Sequence, residues 1–509
     1  MQETPARAAD GGGIAARPWA YLRWPAYLLA LAVFAAAALS MVLPAASIGL
    51  YFERSYNEGW NAYHQARAAA GEPLYGAEPW RPVNYPFLSF YLVGWLGRLF
   101  GNVLIAGRVL NLASLAAVSI AGALVVRRCG GGGPEMLFAA GCVIGFQQIQ
   151  AARWLAVDEP QMLAEACALG GFLCYVSGPP SFARLLGCAL LFAAGGFVKQ
   201  IVVVFPAAVT VDLLWKGRRQ FMLWLLCLGL AAGLFTAASA VVAGGGAVAR
   251  MLEPRIWLWQ QAMYHVKKLL FLLKGPVAAS IVALSGKLPP GRGVLLRAAG
   301  IAALAGGIAF AGGDGVSANV FLELAVLMGL IAGLALARWR HPWPRRRGGA
   351  VVALLLPLLF ASPILARAGR SLPVPWHFAA SWHAFEDRQR EFLAAAAWLR
   401  AQPGAALCES LLLCFAAGKP LVVDPYNARQ EILTGRADEG ELRRMIVERR
   451  FAVIALPGEL RADPRQPDRV TADVLTLLRF TPATLAAIAG DYAPAARLKA
   501  ALFYTPRRR

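Results

Sequence analysis

The sequence predicts a polytopic α-helical membrane protein of about eleven transmembrane helices, followed by a small C-terminal α/β soluble domain. Three observations support this. The residues are 58% hydrophobic and only 16% charged, at a mean hydropathy of +0.52. Basic residues gather in alternate loops, and charge becomes frequent along the chain only beyond Ser371.

A bilayer core about 30 Å thick takes roughly 20 apolar helical residues. Tyr27 to Ile48, Val103 to Val126, Phe221 to Val242 and Val316 to Ala337 meet that length. Shorter apolar runs recur at Met136 to Ile149, Pro160 to Val176, Phe182 to Phe197, Ile201 to Leu214, Pro276 to Leu284, Ala298 to Ala311 and Ala350 to Leu365, and these need extra turns or neighbours to span. The first apolar run starts too late and runs too long for a cleaved signal, so it is expected to stay as an anchor.

The net charge of +21 raises nucleic acid as a partner, but its placement points to a membrane instead. Arg127, Arg128, Arg184, Lys216, Arg218, Arg219, Lys287, Arg292, Arg297 and the cluster Arg338, Arg340, Arg345, Arg346 and Arg347 fall on one side, the cytoplasmic side by the positive-inside rule. Glu53, Glu58, Glu72, Glu78, Asp158, Glu159 and Asp314 collect on the other. The expected division is a cytoplasmic tail, 1–26; a transmembrane region, 27–370, with an outer loop at 50–102 and an interfacial loop at 243–275; and an outer-side domain, 371–509.

Within the outer loop, Glu58 to Ala70 reads as a helix stopped by Gly71-Glu72-Pro73, and Phe87 to Phe100 as a helix lying at headgroup level. Pro254 to Lys274, with Trp257, Trp259 and Tyr264 as aromatic anchors, reads as a second interfacial element; His265, Lys267, Lys268 and Lys274 would suit a phosphate-bearing headgroup or serve as plain anchors. In the terminal domain Glu386 to Arg400 and Asp438 to Arg450 read as helices, and Ala405 to Glu409, Leu421 to Asp424 and Phe451 to Leu456 as strands, an alternation that favours an α/β layer. Cys408 and Cys414 are the cysteines on an oxidising side, yet their spacing does not establish pairing, and free buried thiols are the expectation.

Ionisable groups at or near membrane depth are site candidates by default. Glu58 opens the first loop helix, where it is either a reactive carboxylate or an ordinary first-turn acid. Arg153, Asp158 and Glu159 precede an apolar helix that contains Glu165; helix capping competes with a catalytic role. Lys199 and Gln200 interrupt an apolar stretch after Gly195-Gly196, so the lysine either holds a phosphate or snorkels to the interface. Asn319 and Glu323, four apart on one helix face, line the same cavity or pair with each other. Carboxylates and cations on one side fit group transfer from a phosphate-linked lipid, with a carboxylate taking the proton of an acceptor hydroxyl and cations stabilising the departing phosphate.

Four passages resemble the GT-C glycosyltransferases, a family that includes protein O-mannosyltransferases and the lipid A aminoarabinose transferase. They are Tyr56-Asn57-Glu58-Gly59-Trp60-Asn61-Ala62-Tyr63 running on through Gly71-Glu72-Pro73-Leu74-Tyr75 and Asn84-Tyr85-Pro86 to Ala106-Gly107-Arg108, then Arg153 to Ala164, Phe197-Val198-Lys199-Gln200, and Ser317 to Leu324. Ala417-Gly418-Lys419-Pro420 through Asp424-Pro425 is similar to the outer soluble domain of bacterial members. The resemblance implies an inverting transferase of the bacterial inner membrane with a periplasmic C-terminal domain. Its donor would be a polyprenyl-phosphate-linked sugar and its acceptor a lipid, polysaccharide or protein. It implies Glu58 and Asp158 as catalytic carboxylates, and as ligands where a divalent metal cation is used. Lys199 and Arg153 would bind the phosphate, and Tyr85, Arg108, Gln200, Asn319, Glu323, His265, Lys267 and Lys268 would complete the substrate site. Where many members have an Asp-Glu pair this chain has Asn57-Glu58, and where some have a lysine before Pro-Pro it has Asn84-Tyr85-Pro86-Phe87. A transporter or lipid flippase, which would show repeat-related helix breaks, and an inactive relative serving in assembly remain the rival readings.

Overall fold

A computed structural model describes residues 23–76, 78–340, 347–371, 375–463, 466–472 and 474–508. The tail 1–22 and the basic positions Arg345 and Arg346 lie outside the described residues.

Among the described residues, seven helices are long and apolar enough to cross a bilayer: Trp24–Gly49, Val103–Arg128, Arg218–Ala243, Trp259–Ser285, Gly293–Ala311, Ala318–Trp339 and Val351–Ala368. Shorter or more polar helices, Gly133–Ala151, Gln161–Val176, Phe182–Val198 and Val204–Lys216, pack among them. Ala318–Trp339 is 78% buried along its apolar window and so forms the centre of the bundle, whereas Arg218–Ala243 is 17% buried and turns Leu230, Leu234 and Val241 outward. A helix apolar all round belongs in lipid or in the middle of a bundle, and these two are one of each.

The expected break in the chain at Lys199 is present: Phe182–Val198 ends, residues 199–203 are irregular, and Val204–Lys216 resumes. The expected interfacial segment Pro254 to Lys274 is not separate. From Trp259 it continues through Pro276 as the single helix Trp259–Ser285, kinked where Leu273 leaves helical geometry at φ −130°. Proline at 276 cannot donate to the preceding turn, and neighbouring helices hold the remainder in line. Phe87–Phe100 buries Phe90, Gly94 and Gly97 and leaves Trp95, Leu99 and Phe100 exposed, one wet or lipid face and one packed face.

The chain leaves the bundle along the 27-residue helix Pro375–Ala401 and forms a mixed sheet. Strands β1 (Ala406–Cys408) and β2 (Val453–Leu456) pair in parallel. A separate ribbon is made by β3 (Arg461–Asp463) and β4 (Gln466–Thr471). The hairpin β5 (Tyr492–Leu498) and β6 (Ala501–Pro506) then completes the order β1-β2-β6-β5. Leu421 to Asp424 is not a strand: Asp424 donates its N–H to the Trp80 carbonyl and its side chain caps the helix Pro425–Leu433 through the Asn427 N–H. Cys408 and Cys414 are disulfide-bonded across β1 and the helix Leu411–Ala416, correcting the expectation of free thiols.

This domain rests on the first loop. A Cβ at Gly59, in the helix Asn57–Ala69, would lie 2.1 Å from the Leu412 nitrogen, so only glycine lets the two backbones meet. Tyr63 donates to the Lys419 carbonyl, and Tyr426 donates to the Asp314 carbonyl at 2.8 Å, which ties the domain to the loops at one end of the bundle.

Candidate active site

At that end a cavity of about 350 Å³ opens between the bundle and the domain. Its cationic groups are Lys199, Arg250 and Arg255, its aromatic walls include Trp60, Tyr85, Trp154, Trp257 and Tyr426, and Asn57, Asn84, Gln200, Asn319 and Asn427 supply carboxamides. Of the residues expected in a substrate site, the cavity takes in Lys199, Gln200, Tyr85 and Asn319.

Lys199 stands where the bundle helix breaks, 96% buried. Its ammonium is 4.7 Å from the Tyr85 ring centroid and 5.2 Å from that of Trp154, and it is ion-paired with Glu159. The other Glu159 oxygen accepts from Asn57 Nδ2 at 3.0 Å. Glu159 is itself fully buried and does not line the cavity; it stands directly behind two residues that do, Lys199 and Asn57. Glu323 does not pair with Asn319. It accepts the Val203 and Val204 N–H groups, capping the helix that follows the break and so fixing where Lys199 emerges.

The loop carrying Glu159 is held from several directions. Ala156 adopts φ 55°, a left-handed conformation that costs a non-glycine residue on the order of 1 kcal/mol. It is kept there by its N–H on Asn111 Oδ1 at 2.8 Å and its carbonyl on Arg54 at 2.9 Å. Asn61 binds the Asp158 carbonyl and Asn111 binds that of Glu159.

Glu58 and Arg108 form a second, wholly buried centre behind the cavity wall. Arg108 Nε meets Glu58 Oε1 at 2.7 Å and Nη2 meets Oε2 at 2.8 Å, while the guanidinium also donates to the carbonyls of Ile48, Leu50 and Phe52. Glu58 accepts in addition from the N–H groups of Arg54 at 2.8 Å and Asp158 at 3.1 Å. Neither side chain reaches the cavity, and with Arg108 across both oxygens Glu58 does not fit a divalent cation. Among the described residues no three His, Cys, Asp or Glu side chains converge as a metal set.

Asp158 lies against Gly107 and is also outside the cavity; Gln65 donates to Oδ1 at 2.8 Å and Oδ2 has no partner. Burial, with Glu58 and Glu159 nearby, holds its carboxyl well above the ordinary range. Gly107 is the reason the loop can lie so close: a Cβ there would fall 2.0 Å from Asp158 Oδ1. Gly107→Ala is expected to displace the 155–159 loop and cost about 1–3 kcal/mol, read as a lower melting temperature of the purified protein; an unchanged value would show that the loop yields freely.

Arg153 is exposed on the turn 152–154, and the adjacent Trp154 faces the cavity in its place. His265 donates to the Val316 carbonyl at 3.1 Å, and Lys267 and Lys268 ride on the Trp259–Ser285 helix; none of the three lines the cavity. Arg250 and Arg255, which do, stand on the short helix Ala247–Met251 and at the start of the expected interfacial element, where nothing local distinguishes them from ordinary interfacial cations.

Where the domain meets the first loop, Glu53 touches the Ser410 hydroxyl, and burial pushes its carboxyl up to about 7. A carboxyl raised in the folded state binds more protons there than when unfolded, so stability falls as pH rises through the interval between the two values. Melting temperature is expected to fall between about pH 5 and about pH 8, and Glu53→Gln to flatten that slope. An identical slope in the variant would assign it elsewhere.

No protein-family model and no curated protein sequence matches the chain. Solved structures do. ArnT from Cupriavidus metallidurans in the apo state matches at a TM-score of 0.59 and 12% identity, and its complex with undecaprenyl phosphate at 0.57 and 13%; each match covers 92% of this chain and 97% of the other. The oligosaccharyltransferase of Archaeoglobus fulgidus tethered to an acceptor peptide matches at 0.52 and 11% identity, over 86% of this chain and 70% of that one. The helical bundle, its loop helices and the appended domain together share the fold of these structures.

Proposed function

We propose that the protein transfers a sugar from a polyprenyl-phosphate donor to a hydroxyl of a lipid, polysaccharide or protein on the outer face of the bacterial inner membrane. The observation that carries this is the cavity itself. Three cations, Lys199, Arg250 and Arg255, and a wall of aromatic rings line it at the end of the bundle that meets the terminal domain, a lining that suits the phosphate of a lipid-linked donor. ArnT, of the same fold, was solved with undecaprenyl phosphate bound. The Cys408–Cys414 disulfide suits a domain on the oxidising side.

In this reading the acceptor oxygen bonds to the anomeric carbon as the bond from that carbon to the phosphate oxygen breaks. The electron pair stays on polyprenyl phosphate, whose charge Lys199 and Arg255 stabilise. Glu159, which lies just behind the cavity residues Lys199 and Asn57, takes the acceptor proton once Lys199 turns to the phosphate, in place of the expected Glu58 and Asp158. Those two residues position the loop on which Glu159 stands. Aromatic faces at Trp60, Tyr85 and Trp154 suit the apolar faces of a sugar ring.

The test supplies purified protein in lipid with labelled polyprenyl-phosphate sugars and envelope extract, and measures label in the lipid, polysaccharide and protein fractions. Label in one fraction, dependent on the protein, identifies the acceptor class. Failure of every polyprenyl-phosphate sugar to bind or to donate would overturn the proposal.

A further inference from the structure

Four neutral polar atoms at the cavity lack partners. Tyr56 Oη, Trp60 Nε1, Gln200 Oε1 and Asn319 Oδ1 are each enclosed, belong to residues that line the cavity, and make no hydrogen bond. The two amides are oriented by their other ends: Gln200 Nε2 donates to the Asn84 carbonyl at 3.1 Å, and Asn319 Nδ2 donates to Gln161 Oε1 at 2.6 Å. The groups left over are thus one N–H donor, one phenol hydroxyl and two carbonyl acceptors. Enclosed polar atoms without partners are costly, and a ligand that satisfies them gains accordingly.

The charges beside them restrict what that ligand is. A sugar ammonium would need a free carboxylate, but Glu253 is held by Arg250 at 3.0 Å and Glu159 by Lys199 and Asn57. A sugar carboxylate would face two carbonyl oxygens that repel it. A hydroxyl both donates and accepts, so neighbouring hydroxyls satisfy the N–H, the phenol and both carbonyls with no charge to balance.

Resting on the function proposed above, we infer that the transferred sugar is uncharged, its hydroxyls held by Trp60, Gln200 and Asn319 while Lys199 and Arg255 hold the phosphate. The donor class is a neutral hexose or pentose on polyprenyl phosphate, not an amino sugar or a uronic acid.

The test uses the full chain in lipid and measures binding and transfer with polyprenyl phosphate carrying a neutral sugar, an amino sugar or a uronic acid, and binding of bare polyprenyl phosphate. The neutral donors are expected to bind at least about tenfold more tightly than either charged class. Trp60→Phe, which keeps a ring against Tyr85 and Phe90, is expected to weaken neutral-sugar donors severalfold and leave bare polyprenyl phosphate unaffected. Gln200→Glu puts a free carboxylate at the site and is expected to shift preference about tenfold toward the amino sugar. Tighter binding of a charged sugar by the unaltered protein would overturn the inference and leave the function standing, as would equal binding of sugar-bearing and bare lipid. Binding of no polyprenyl phosphate at all would overturn the function and this inference with it.

Discussion

Replacing Glu159 with Gln is expected to lower turnover by about 10²–10⁴-fold without raising the KM for the lipid-linked donor. The carboxamide keeps the shape and can still accept from Asn57, so the loop should stay in place. What is lost is a group that can take a proton. Because Lys199 is then released from its ion pair, its ammonium is fully available to phosphate, and donor affinity should hold or improve. Lys199→Met should do the reverse in binding: KM for the donor rises, since the charge that meets the phosphate is gone while the rings of Tyr85 and Trp154 still receive an apolar chain. The pair of variants separates proton transfer from phosphate binding, and a merely structural Glu159 would move melting temperature and both kinetic constants together. Undiminished turnover in Glu159→Gln would remove this residue from the chemistry.

The helix break at Lys199 is legible in the sequence because a double glycine and two polar residues interrupt an apolar run, a local signal. The roles of Glu58 and Asp158 are not local. Glu58 shows itself in the sequence only as a first-turn acid, and its bidentate partner lies fifty residues on, brought near by packing of Val103–Arg128 beside Asn57–Ala69. Spacing along the chain carries no trace of that pairing. Leu421 to Asp424 has strand-forming residues but pairs with no strand, and Asp424, a good cap before Pro425, decided the local structure instead. The hairpin β5–β6 escaped notice for a related reason: β5 includes Pro494 and several alanines, tolerable at the sheet edge where it lies. Arg250, on the short helix Ala247–Met251, and Arg255, just beyond it, belong to a segment whose placement depends on what it packs against, Glu431 and Arg436 of the terminal domain among them.

Arg108→Met is expected to be among the most damaging single substitutions in the chain, through folding and not through chemistry. Removing one partner of a fully buried ion pair leaves a charge without compensation and typically costs about 3–5 kcal/mol. Here the loss is compounded, because Arg108 also serves three backbone carbonyls of the first loop, at Ile48, Leu50 and Phe52. Glu58→Gln should be milder: a carboxamide oxygen can still accept from Arg108 or from the Arg54 N–H, but the guanidinium loses its counter-charge. The expected order of folded yield after extraction is unaltered protein, Glu58→Gln, then Arg108→Met. Turnover normalised to folded protein is what distinguishes a structural centre from a catalytic one. If Glu58→Gln folds in full yet turns over about a hundredfold more slowly, Glu58 belongs to the reaction after all. If surviving Glu58→Gln molecules work at near-normal rates, the carboxylate's task is to anchor the first loop and, through the Asp158 N–H, to hold the loop that sets Glu159 behind Lys199.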